Sequence, residues 1–113
     1  MKIAFTSQGT TSDALMDPRF GRTAFLLVYD EESGQYEHCD NRQVEGVAHG
    51  AAVQTARRLF EMGAQVLVTG NGPGGNAASV LQRSGVQTFI GAGGMTVERA
   101  YAAWKSGELQ RFQ

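Results

Sequence analysis

The sequence predicts a three-layer α/β domain built on a mixed sheet. One observation is the nearly continuous apolar run TAFLLVY, Thr23 to Tyr29, as expected for a strand covered on both faces. Another is the element order, in which a hairpin of strands precedes alternating strand and helix segments and so implies a parallel half. The chain length of 113 residues completes the case, because it suits one domain spanning 1–113.

The elements follow in order. Lys2 to Thr6 (KIAFT) is a short strand, and Ser7 to Arg22 is a polar loop carrying turn formers and Pro18. After the strand Thr23–Tyr29, Ser33-Gly34 turns the chain into Gln35 to Cys39, a more alternating strand suited to an edge. From His49 the positions Ala52, Val53, Ala56, Leu59 and Phe60 keep helical spacing, and Gly63 terminates the helix. Gln65 to Thr69 is a buried strand, Asn76 to Arg83 a short helix closed at Gly85, and Val86 to Ile90 a further strand. Thr96 is a good N-cap for the last helix, with Glu98 in its first turn, Val97, Ala100, Tyr101 and Trp104 on one face, and Gly107 at its end.

Composition excludes several function classes. The 10 Lys+Arg balance 11 Asp+Glu, so nothing supports a general nucleic-acid or membrane-surface binder. The start MKIAFTSQG is neither a signal peptide nor a membrane span, and no other stretch is long and apolar enough, which places the protein in the cytoplasm. Cys39 is the single cysteine, so no internal disulfide forms; beside His38 on a strand it points to the opposite face, and it reads as structural. Asp30, Glu31, Glu32, Glu37, Asp40 and Glu45 match no calcium loop and read as a solvated hairpin region. His38 and His49 lack metal-ligand spacing, and there is no nucleophile elbow and no C-x-x-C, so nothing argues for an enzyme.

Glycine is the outlier, at 15 residues gathered in blocks. Gly70 to Gly75 (GNGPGG) matches G-x-G-x-x-G, but the next strand runs into Gly91-Ala92-Gly93-Gly94 without the acid that a dinucleotide ribose needs. Pro73 also removes an amide donor, so neither a nicotinamide nor a flavin is implied. Both glycine loops follow strands and precede helices, which puts Asn71, Gly72, Gly74, Gly75, Gly93 and Gly94 on one edge of the sheet. Their amides either face an anionic ligand or merely permit tight turns. In Asp17 to Arg22 (DPRFGR), Arg19 and Arg22 flank Phe20 and Gly21. They either bind a polarizable anion, or Asp17 pairs with an arginine while Phe20 fills core. His49, at a predicted helix start, is either an exposed ligand or proton donor or a surface or capping residue.

Taken together, KIAF, DPRFGR before FLLVYD, and GAQVLVTGNGPGGNAASVLQRSGVQTFIGAGG running into TVERAYAAWKSGEL resemble the dinitrogenase iron–molybdenum cofactor biosynthesis family over essentially the whole chain. That family includes nitrogenase cofactor carriers and orange-protein-like members. The resemblance implies a ribonuclease-H-like fold with five strands and helices on both faces. It also implies non-catalytic binding, carriage or assembly of an anionic metal–sulfur cluster, of iron–molybdenum or molybdenum–copper type, exchanged with donor and acceptor proteins. Many relatives carry His immediately before the Phe-Gly, where this chain has Arg19, so the role carried over to that loop is electrostatic and no metal ligand is assigned. The alternative is a metal-free interaction or regulatory module that binds a partner protein or a small anion.

Overall fold

Alternation along the strands sorts the core into two clusters, one on each side of a six-stranded sheet. The computed structural model describes residues 1–46 and 50–112. Its strands are β1 (Lys2–Ser7), β2 (Phe25–Asp30), β3 (Gln35–Asp40), β4 (Val66–Val68), β5 (Gln87–Ile90) and β6 (Gln110–Phe112). The helices are α1 (Ala51–Glu61), α2 (Gly75–Arg83) and α3 (Val97–Lys105), with a 3-10 turn at Arg42–Gly46. The spatial order is β3-β2-β1-β4-β5-β6. β1, β4 and β5 run parallel, while β2, β3 and β6 are antiparallel to their neighbours.

On one face Ala4, Leu26, Val28 and Leu67 meet Ala56 and Leu59 of α1 and Ala77 and Leu81 of α2. On the other, Ile3, Phe5, Leu27, Val66 and Val68 meet Val97 and Ala100 of α3. These central strand residues are 2% exposed or less, which is why their sequences read as continuous apolar runs. Tyr29, Tyr36, Phe89, Tyr101 and Trp104 extend the second cluster, with the Tyr29 and Tyr36 ring centroids 4.6 Å apart.

Besides shifts of one residue at the ends of β1, β3, β4, β5 and α2, the structure departs from the sequence reading at four places. The sheet has six strands rather than five, because the chain after Gly107 returns antiparallel to β5, Ile90 opposite Gln110. A three-residue segment, QRF, carries too little pattern to announce a strand. β2 starts at Phe25 rather than Thr23, whose hydroxyl donates to the Phe25 carbonyl at 2.9 Å. α1 starts at Ala51, after Gly50 at φ 79°, and the predicted start His49 lies outside the described residues. On α1 the polar Thr55 is fully enclosed beside Ala51, Ala56 and Leu59, whereas Phe60 is 51% exposed. Thr55 takes the inner place because its hydroxyl donates to the Gly21 carbonyl at 2.8 Å. The last helix is as predicted: the Thr96 hydroxyl accepts from the Arg99 amide at 3.2 Å, with Glu98 in the first turn.

Candidate functional site

Parallel pairing decides where the loops lie. β1, β4 and β5 end on the same edge of the sheet, so the segments after Ser7, Val68 and Ile90 leave together. Backbone hydrogen bonds then join them. The Asn71 amide donates to the Pro18 carbonyl at 2.8 Å, and the Gly91 amide to the Gly70 carbonyl at 3.1 Å. The Met16 amide reaches the Met95 carbonyl at 2.8 Å. Beneath the junction the buried Thr6 hydroxyl donates to the Asp17 carbonyl at 2.8 Å and lies 2.9 Å from the Thr69 hydroxyl. At Gly70 a Cβ would stand 2.8 Å from the Pro18 Cα, so only glycine lets these two loops touch.

The DPRFGR residues divide by role. Arg19 forks onto Asp17, with Nε donating to Oδ1 and Nη2 to Oδ2, both at 3.1 Å. Its side chain is still 55% exposed, whereas that of Asp17 is 1% exposed. Phe20 is a core residue at 3% exposure. Gly21 is where α1 packs against the loop, since a Cβ would lie 2.8 Å from that of Ala52. Arg22 turns away to the 3-10 turn, donating from Nη1 to the Val44 carbonyl at 2.9 Å. Of this loop's predicted residues, only Arg19 extends a largely exposed side chain.

The glycine loops also divide. Gly72 is covered by the Phe112 ring of β6, to which a Cβ would come within 2.3 Å. Gly74 and Gly75 are exposed at the start of α2, with open space where their side chains would be. Gly93 and Gly94 are exposed on the neighbouring loop. Among the described residues, the amides of Gly74, Gly75, Gly93 and Gly94 donate to no carbonyl or side chain, whereas that of Asn71 is spent on Pro18. The two helix starts differ. Thr96 caps α3 and Glu98 already answers its dipole, while α2 has no side-chain cap and no acid in its first turn. Anion-binding capacity therefore concentrates at α2. No group of three or more His, Cys, Asp or Glu side chains is gathered for a metal among the described residues, and His49 falls outside them.

Asp17 organises the electrostatics. Burial pushes its carboxyl up, but the Arg19 side chain and the Arg19 and Ala24 amides outweigh burial and hold it below the ordinary 3.8. Sequence reasoning offered Asp17 as an arginine partner and missed the polar supports around it. Asn41 donates to the Thr23 carbonyl at 3.1 Å and the Thr55 hydroxyl at 3.0 Å, and accepts from Arg58 at 2.9 Å. The available signal was a polar residue at each strand end beside an apolar run, as at Thr6, Thr69 and Asn41.

The model of the family described as dinitrogenase iron-molybdenum cofactor matches residues 1–107. The chain belongs to this family. It is similar to the apo form of the orange protein from Desulfovibrio gigas, at 35% identity and a TM-score of 0.92, covering 98% of this chain and 92% of that one. It is also similar to a NifB-type protein from Thermotoga assigned to the DUF35 family, at 30% identity and a TM-score of 0.83, covering 97% and 91%. No curated protein matches the sequence. For a member of the dinitrogenase iron-molybdenum cofactor family, these likenesses point to an association with a metal–sulfur cluster in a binding role. No helix among the described residues is long and apolar enough to cross a membrane.

Proposed function

We propose that this protein binds and carries, or helps assemble, an anionic metal–sulfur cluster of the iron–molybdenum or molybdenum–copper type, without catalysing a reaction. The cluster is cargo, passed between donor and acceptor proteins. The observation that carries this reading is the junction through Asn71–Pro18 and Gly91–Gly70, which holds both glycine loops and the Arg19 loop together on one edge. The donors collected there suit a large polarizable anion: unspent amides at the start of α2 and in the 93–94 loop, and one guanidinium anchored on a buried carboxylate. Family membership favours a metal–sulfur cluster as the ligand, and the amide and guanidinium donors suit hydrogen bonds to its sulfides.

The test is direct. Tetrathiomolybdate, with and without copper, is added to the apo protein and the visible absorbance is followed through gel filtration. Colour that elutes with the protein, and is lost when Gly74 and Gly75 are both replaced by Asp, supports the reading. Absence of bound colour with either probe refutes it.

A further inference from the structure

Phe112 is the one side chain of β6 that turns inward, since Gln110 and Arg111 are exposed and Phe112 is half-buried. It opposes Thr88, and Thr88 opposes Leu67, so the ring lies on the α1 and α2 side of the sheet. Yet it packs into neither core cluster among the described residues. What it meets is the first glycine loop. A Cβ on Gly72 would stand 2.3, 2.5 and 2.7 Å from three of its ring atoms, so the ring rests directly on the bare Cα. Phe112 also lines one groove with Pro73 and Gly75, so it borders the loop as far as the start of α2.

The loop is otherwise unheld at this point. Its first part is tied by the Gly91 amide on the Gly70 carbonyl and the Asn71 amide on the Pro18 carbonyl. Its last part is tied by α2, where the Ala78 amide donates to the Gly74 carbonyl at 3.1 Å. Between them Pro73 has no amide hydrogen, and Gly72 makes no hydrogen bond among the described residues. Glycine has the freest backbone, so without the ring Gly72 would let the loop sample many arrangements. The unspent amides of Gly74 and Gly75 follow directly. β6 also lies outside residues 1–107, over which the family match runs, so family membership does not imply this contact. We infer that Phe112 is a positioning residue for the cluster site: its ring pins Gly72 and thereby fixes where the Gly74 and Gly75 amides point. This rests on the cluster-binding reading above.

Two readouts on the full-length protein test it. In the apo state, backbone amide relaxation of Phe112→Ala should show the order parameters of Gly72, Gly74 and Gly75 falling from the rigid range of about 0.85 to below about 0.6. Affinity for tetrathiomolybdate, titrated with and without copper, should fall about 5- to 30-fold, because about one freed backbone residue must be ordered on binding. Phe112→Leu keeps an apolar contact and should retain most of both. Gly72→Ala pries the ring away with β6 intact and should weaken binding in the same way, so it carries the comparison if Phe112→Ala does not fold. Tyr36→Ala removes a half-buried ring from β3 at the opposite edge of the sheet, and should lower Tm while leaving order parameters and affinity unchanged. With a parent that binds, parental order parameters or parental affinity in Phe112→Ala, or an equal loss in Tyr36→Ala, would overturn the inference and leave the cluster reading standing. A parent that binds neither form of the probe would overturn both.

Discussion

Replacing Arg19 by Ala separates the two uses of its guanidinium. The Asp17 side chain, 1% exposed, accepts from the Arg19 amide at 3.0 Å, from Arg19 Nε and Nη2 at 3.1 Å, and from the Ala24 amide at 3.1 Å. Arg19→Ala removes the two side-chain donors and leaves a buried carboxylate held by two amides. Breaking a fully buried pair costs about 3–5 kcal/mol. Arg19 is 55% exposed, however, so water reaches the vacated position and the cost falls to about 1–2 kcal/mol. For a domain of this size that lowers Tm by about 4–10 °C. The Asp17 pKa is depressed in the folded state, so this stability is present above the unfolded value and is lost as pH falls through the folded one. The Tm gap between the parent and Arg19→Ala should therefore be full near neutrality and narrow on acidification below about pH 4. The binding arm uses tetrathiomolybdate. If the exposed part of the guanidinium also holds the cluster, affinity should fall about 10- to 150-fold, a loss of about 1.5–3 kcal/mol. Arg19→Lys should recover only part of it, because the planar fork is lost. Added salt should weaken binding by the parent, and Arg57→Ala on the solvent side of α1 serves as the control. A lowered Tm with unchanged affinity, at low and high salt alike, would refute the electrostatic role and leave Arg19 a structural role at Asp17.

Gly72→Ala should destabilise the fold by about 1–3 kcal/mol in denaturant unfolding, because its Cβ would stand 2.3 Å from the Phe112 ring; adding Phe112→Ala should reverse much of that loss. Cys39→Ser should retain cluster binding, since the half-buried thiol packs on the α1 side of the sheet and donates to the Asp40 carbonyl at 3.7 Å; loss of bound colour in a stably folded variant would show otherwise. The Tyr101 phenol donates to Glu31 at 2.6 Å, which with burial and the charge of Glu31 pushes its pKa up to about 12. Ultraviolet titration should show a tyrosine ionising that late, and Glu31→Gln should bring it back toward 10.

The order of the first eight elements was legible because each carries a periodicity or a punctuation mark. TAFLLVY is apolar on both faces because β2 lies between β1 and β3 with helices over each side. Thr96 caps as its position suggests, for the local reason that its hydroxyl reaches Arg99. β6 was not legible, since three residues with one aromatic become a strand only when β5 offers them an open edge. The same distinction runs through the site. That the two glycine loops share an edge follows from parallel connections, which the sequence order implies. That Gly72 lies under Phe112, that Gly21 receives Ala52, and that Phe20 is core are facts of packing between distant segments, which no local pattern encodes. Sequence could name the glycines, but only contact separates those that make room for a neighbour from those that offer an amide.

The hairpin between β2 and β3 gives the molecule a handle. Phe25 opposes Ser7 at the loop edge and Asp30 opposes Lys2 at the other end, so the turn Glu31–Gly34 is separated from the loop edge by the length of β2. Six strand residues span about 17–20 Å, most of the short dimension of a body measuring 35 × 26 × 25 Å. Ser33 and Gly34 are exposed, and Gly34 closes the turn through a 2.8 Å bond to Asp30. A fluorophore, an affinity tag or a surface tether installed at Ser33 would hold the protein by the end remote from Arg19 and the glycine loops. Immobilised this way, the whole loop edge stays open to solution, and the proposed transfer of a cluster to a candidate acceptor can be tested on a sensor surface.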